Sequence, residues 1–177
     1  ITSIDLNAVA LSTAQVEGIN PHRGHMRQLD HVIWFDHDYS SILGVKHVRD
    51  DEFWVAGHIP GRPLLPGVLM IEAGAQLCSV QYKLKTGEKR FMAFLRCDDV
   101  VFRGQVVPGD MLYLLGSEVE FRAKRLIATC QGMVNDKIVF EGIRQIQQRS
   151  LQILRNPNPR KPPAQPGKQI GVEQAVN

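Results

Sequence analysis

The sequence predicts an α+β domain in which a curved antiparallel sheet wraps around one long buried helix. Two observations carry this. Residues 68–84, VLMIEAGAQLCSVQYKL, contain no proline and are apolar on nearly every face of a helix. A helix that is apolar all round must be buried. Around it lie short runs rich in β-branched and aromatic residues, each closed by turn signals, the pattern of antiparallel strands.

In chain order, a short helix is expected over residues 12–17, within a segment that precedes the domain proper. Residues 29–35 and 42–48 read as strands separated by the polar stretch 36–41, and 53–55 as a third, short strand. Pro66-Gly67 marks the start of the long helix and Gly87 its end. Strands are expected over 92–102, 111–121, 126–134 and 137–147. Between the last two, Asn135-Asp136 suits a two-residue hairpin, because both residues tolerate positive φ. Asp98-Asp99 reads as a strand end, and Val107-Pro108-Gly109-Asp110 as a turn.

Composition narrows the class. Of 177 residues, 44% are hydrophobic and 22% charged, ordinary globular usage. No uncharged apolar run reaches the ~18 residues of a membrane span, and no basic segment followed by an apolar stretch opens the sequence, so neither an integral membrane protein nor a secretory leader is expected. The net charge of +3 sits at the end of the chain. Arg149, Arg155, Arg160, Lys161 and Lys168 face a lone Glu173 there, which leaves the rest slightly acidic and argues against nucleic-acid binding. Cys78, Cys97 and Cys130 are too few and too scattered for a disulfide framework and point to a reducing cytoplasm. The expected organisation is an N-terminal extension over 1–18, a domain over 19–150, and a flexible, Pro-rich basic tail over 151–177.

The chemistry concentrates just before the long helix. Residues 57–67, GHIPGRPLLPG, hold three prolines and three glycines, a composition for a rigid loop that approaches something closely. Its one group titrating near neutral pH is His58. The loop leads into a helix N-terminus, whose free N–H groups attract developing negative charge. The helix carries a single acid, Glu72, with Gln76 one turn on along the same face. Burying a lone carboxylate costs several kcal/mol unless it is paired or protonated. A histidine, a carboxyl group and a helix N-terminus together supply a base, an acid and an oxyanion site. The remaining histidines (His22, His25, His31, His37 and His47) have no cysteine partners and share no helix face, so no metal is expected, and no cofactor.

GHIPGRPLLPGVLMIEAGAQ, residues 57–76, strongly resembles the signature of the (3R)-hydroxyacyl-[acyl-carrier-protein] dehydratases of the FabZ type, which have the hotdog fold. Pro21-His22-Arg23, Val45-Lys46-His47-Val48, Phe102-Arg103 and Val106-Val107-Pro108-Gly109-Asp110 resemble further family segments in the same order, so the likeness spans about 20–147. The resemblance implies that His58 takes the α-proton of a 3-hydroxyacyl thioester and that Glu72 protonates or orients the departing 3-hydroxyl. It also implies that the Gly67 N–H holds the thioester oxygen and that Gln76 supports Glu72. A glutamate rather than an aspartate on the helix resembles the dehydratase-only branch. The family forms homodimers, with each site built from the histidine of one subunit and the glutamate of the other, and many assemble as hexamers of three dimers. Two segments depart from it: Gly24-His25-Met26-Arg27-Gln28-Leu29-Asp30-His31 is more polar than the usual apolar run, and Ile59 replaces a phenylalanine.

The implied partner is an acidic acyl carrier protein bearing the substrate on a phosphopantetheine arm. Arg62 and Arg103 are the docking candidates, with Lys46 a weaker third. Two other functions are open to a hotdog chain, acyl-CoA thioesterase and non-catalytic acyl binding. The His58–Glu72 pair argues against both.

Overall fold

The computed structural model describes residues 4–148. The tail expected over 151–177 lies outside the described residues. Six antiparallel strands form one sheet in the order β1-β2-β4-β5-β6-β3: β1 His31–Phe35, β2 Ser41–His47, β3 Met92–Phe102, β4 Met111–Arg122, β5 Arg125–Val134 and β6 Lys137–Gln148. Helix α2, Gly67–Thr86, lies across one face of this sheet. It is the hotdog arrangement that the sequence predicts. Every residue from Ala73 to Lys83 is buried, including Gln76, Ser79, Gln81 and Lys83, as an all-round apolar helix requires. Gly87 closes α2 in the left-handed conformation at φ 65°, its N–H bonded to the Lys83 carbonyl.

Strand alternation builds the core. Leu112 and Leu114 of β4, Cys130 of β5 and Phe140 of β6 face Ala73, Leu77 and Val80 of the helix. Cys78 and Tyr82, one turn further on, pack with Met92, Leu126 and Ile146. On the opposite face, Ile33, Leu43 and Val45 form a smaller cluster under Ile4, Met111 and Tyr113. The β5–β6 hairpin turns through Asn135 and Asp136 at φ 49° and 61°, the positive values expected of them. Gly132 is needed by packing rather than by conformation: a Cβ there would lie 2.2 Å from the buried Phe140 ring. Gly132→Ala should therefore cost about 1–3 kcal/mol, read as a lower urea midpoint at unchanged m. An unchanged midpoint would mean that the ring has room to yield.

The early helix, α1, runs Thr13–Ile19 behind a capping box formed by Ser12 and Gln15, and Val16 from it enters the main core. Two readings need correction. Residues 53–55 are not a strand: the Trp54 indole is drawn inward onto the Glu52 carboxylate, and the segment curls into turns with Val55 N–H bonded to Glu52 O and Gly57 N–H to Trp54 O. Asp98-Asp99 does not end a strand either. It lies within β3, at a break in register between Asp98 and Val101, where Asp99 takes φ 51°.

Candidate active site

The loop that carries His58 is held from beneath. Lys46 alternates with Ile42 and Gly44 along β2, so it points into the protein rather than to solvent. Its Nζ meets both oxygens of Glu52 at 3.0 and 2.9 Å. Glu52 also accepts from the Arg49 N–H at 3.0 Å and from Trp54 Nε1 at 3.1 Å. Burial pushes this carboxyl up, but the Arg49 amide and the Lys46 ammonium outweigh it and hold Glu52 below the ordinary carboxylate range. Trp54 in turn accepts the His58 N–H on its carbonyl at 2.9 Å. Beyond His58, Ile59-Pro60-Gly61-Arg62 closes a type II turn. Pro60 stands where a fixed φ is favoured, Gly61 takes φ 76°, and Arg62 N–H bonds to Ile59 O.

His58 is exposed and its Nδ1 lies 2.8 Å from the Leu64 carbonyl oxygen. A carbonyl can only accept, so in the neutral ring Nδ1 carries the proton and Nε2 keeps its lone pair outward, the form a base needs. The loop is then tied to the sheet side by Leu65 N–H to Val106 O. At the helix start, the Gly67 and Val68 amides have no acceptor among the described residues, while Leu69 and Met70 bond back to the Pro66 carbonyl. Gly67 also permits a close approach: a Cβ on it would lie 2.7 Å from Phe102 Cζ.

Glu72 stands at the other pole, half-buried. Gln76 Nε2 donates to its Oε1 at 2.8 Å. The orientation of that amide is determined by its surroundings. Gln76 Oε1 accepts the Gln28 N–H at 2.9 Å, so the nitrogen must face Glu72 and the Met26 carbonyl, 2.7 Å away. His22 Nε2 lies 3.5 Å from the same Glu72 oxygen. Burial, reinforced by Lys83 and Arg23, lowers the His22 pKa although Glu72 raises it, which favours the neutral ring.

The structure thus brings together Glu72 and Gln76, and places His58 and Gly67 along one loop and helix start. No hydrogen bond or ion pair joins His58 to Glu72 within the chain. His22 was not among the expected site residues. The signal for it is its place in Pro21-His22-Arg23, one of the segments that resemble the family, directly after the observed end of α1. Of the docking candidates, Arg62 is exposed and reaches Gln105 Oε1 at 3.1 Å, and the exposed Arg103 pairs with Glu141. Lys46 is corrected: at 1% exposure and bound to Glu52 it cannot meet a partner. The polar departure 24–31 has a use as well, because Gly24–Met26 forms a tight turn that turns the Met26 carbonyl and Gln28 amide onto Gln76.

A single long helix on a six-stranded antiparallel sheet, entered through a histidine-bearing glycine–proline loop, defines a FabA-like domain of the hotdog fold, and the family model described as FabA-like domain matches residues 20–143. Solved hotdog structures share the architecture. The dehydratase heterocomplex ApeI:P from Xenorhabdus doucetiae aligns with a TM-score of 0.66 at 17% identity, covering 79% of this chain and 97% of that one. Cj0977, a sigma28-regulated virulence protein from Campylobacter jejuni, aligns with a TM-score of 0.60 at 15% identity, over 82% and 96%. Within that class the chain belongs to the FabZ-type 3-hydroxyacyl-[acyl-carrier-protein] dehydratase family. It is 37% identical to the FabZ of Xanthomonas oryzae pv. oryzae over 133 residues, 71% of this chain and 84% of that protein. To the FabZ of Protochlamydia amoebophila it is 34% identical over 135 residues, 76% and 88%.

Proposed function

We propose that this protein dehydrates (3R)-3-hydroxyacyl thioesters carried on acyl carrier protein to trans-2-enoyl thioesters, in fatty-acid or related acyl-chain synthesis. One observation carries the reading: a loop histidine with its basic nitrogen outward and a helix glutamate held on one oxygen, in a chain of FabZ-type sequence. His58 Nε2 removes the C2 proton. The electron pair forms the C2–C3 double bond as the C3–O bond breaks, and Glu72 gives its proton to the departing hydroxyl, which leaves as water. The proton on His58 then returns to Glu72 through solvent. During the step, negative charge builds on the thioester oxygen, and the open Gly67 amide at the positive end of α2 suits it. Gln76 keeps one Glu72 oxygen occupied and leaves the other for the substrate.

Each site takes His58 from one protomer and Glu72 from its partner in a homodimer, with three dimers forming a hexamer. Two features support a shared site: the absence of a His58–Glu72 contact within the chain, and an edge strand β3 with Phe94, Leu95, Val101 and Phe102 exposed along it. The catalytic unit is taken as residues 19–150, with 1–18 as an extension and 151–177 as a tail. The described residues contain no helix long and apolar enough to cross a membrane, and the three scattered cysteines suit a reducing cytoplasm.

The deciding experiment is a turnover assay on a (3R)-3-hydroxyacyl-carrier protein. Formation of the 2-enoyl thioester supports dehydration, whereas hydrolysis of the thioester or no reaction overturns it. Docking is read in the same assay. Arg62→Glu and Arg103→Glu should each lower kcat/KM about tenfold with the carrier-bound substrate at low salt and leave a short pantetheine substrate unaffected. An equal loss on both substrates would show that these arginines serve the site and not the carrier.

A further inference from the structure

We propose that His22 is a positioning residue, the second group after Gln76 that holds Glu72 Oε1 and so directs the other carboxyl oxygen at the substrate. The inference rests on the dehydratase reading of the Glu72 site. Its first ground is geometric. His22 Nε2 lies 3.5 Å from Oε1, a distance that closes to a hydrogen bond with a small ring shift, and Gln76 Nε2 meets the same oxygen at 2.8 Å. Oε2 receives no donor from the described residues, so both restraints act on one side of the carboxyl.

The second ground is how much of the fold is committed to that histidine. Asn20 Nδ2 donates to the Gln76 carbonyl at 2.9 Å, in the helix that carries Glu72. The buried Lys83 ammonium donates to the Ile19 carbonyl at 2.7 Å, and burial pushes its pKa down. Arg23 donates to the carbonyls of Glu17, Asn20 and His22 itself, at 2.6, 2.7 and 2.7 Å. The end of α1 is thereby clamped onto α2, and Pro21 limits the backbone between Asn20 and His22. At the tip of this clamp the side chain reaches Glu72, and its buried Nδ1 has no hydrogen-bond partner among the described residues.

Charge state decides what such a histidine does. The groups facing His22 are Glu72 and Lys83 from α2 and Arg23 from its own segment. Burial and the two cations favour the neutral ring, which donates from Nε2 without adding a full positive charge beside the carboxyl. An imidazolium there would favour the carboxylate and oppose transfer of its proton to the leaving hydroxyl.

The test compares His22→Leu and His22→Gln in the full-length enzyme on a (3R)-3-hydroxyacyl pantetheine thioester. Leucine removes the donor, whereas the glutamine amide can replace Nε2–H without titrating. The expected result is that His22→Leu lowers kcat about tenfold with KM within about twofold, and His22→Gln stays within about threefold of the parent. A structural role alone would move both variants together. An unchanged kcat in His22→Leu, or an equal loss in His22→Gln, overturns the proposal. A second arm does not depend on turnover: NMR of the histidine ring nitrogens follows His22 titration, assigned by the signal lost in His22→Gln. Because Glu72 raises the His22 pKa, Glu72→Gln should lower the midpoint further; an unmoved midpoint means that the two side chains do not interact. If the parent enzyme itself fails to dehydrate the substrate, the proposed function falls and the kinetic role with it, while the titration still decides whether the contact exists.

Discussion

His58→Ala and Glu72→Gln should each lower kcat for dehydration by about 10²–10⁴-fold, the range that a positioned general acid or base contributes. Stability should change little. His58 is exposed on its loop, and Glu72→Gln keeps the shape of a half-buried side chain whose neighbours include an amide and an imidazole. Retention of more than about a tenth of kcat, ~1.4 kcal/mol in barrier, by either variant would remove that residue from the mechanism. The same pair of variants tests the shared site. In a dimer of one His58→Ala and one Glu72→Gln protomer, the site that draws its histidine and glutamate across the interface is intact once and doubly lost once. Co-assembly at random should then recover about a quarter of the parent activity, because about half the dimers are mixed and each carries one working site. No recovery would mean that each protomer completes its own site, or that the pair does not act together.

The second large effect lies beneath the loop. Lys46→Met or Glu52→Ala removes one member of a pair in which both side chains are almost wholly buried, 1% and 6% exposed. Each should cost about 3–5 kcal/mol, because the remaining charge has no partner, while the double variant Lys46→Met/Glu52→Leu should cost much less than the sum of the two. Chemical denaturation at fixed protein concentration reads this, since an oligomer's midpoint depends on concentration. Additive losses would show that the two charges do not stabilise each other. Activity should fall with stability in the single variants, because Trp54 bonds to Glu52 through its indole and to His58 through its carbonyl. The pair also sets an acid limit. The folded Glu52 pKa is depressed below the ordinary glutamate value of 4.5, so its stabilisation is fully present above that pH and is lost as pH falls through the lower, folded value. As pH falls below 4.5 the parent should therefore lose more stability than the double variant does.

Much of this was legible in the residues. The all-round apolar run 68–84 could only be a buried helix, and it is one, between a Pro-Gly start and a glycine end. Alternation placed five of the six strands to within a residue at either end, and β1 to within two, because a half-buried strand writes its two faces directly into the chain. The loop and its single histidine stood out because rigid glycine–proline segments are rare and His58 was the only group in this one able to exchange a proton near pH 7. Parity along β2 is what the docking expectation for Lys46 overlooked: the residue shares the inward face with Ile42 and Gly44, which turns it away from any partner.

What lay beyond the sequence was a set of contacts between residues far apart in it. Nothing local ties Glu52 to Lys46, and without that tie residues 53–55 read as a strand, since Phe53, Trp54 and Val55 have the composition of one. Similarly, His22 and Glu72 are separated by fifty positions, and only the clamp of Asn20, Arg23 and Lys83 brings α1 against α2 so that they meet. Local propensity and periodicity are properties of neighbouring residues and therefore dictate helix, strands, turns and the chemical type of the loop. The partner of a buried charge, the tautomer of His58 and the oxygen by which Glu72 is held depend on through-space distances of about 3 Å, which exist only once the helix has been laid on the sheet.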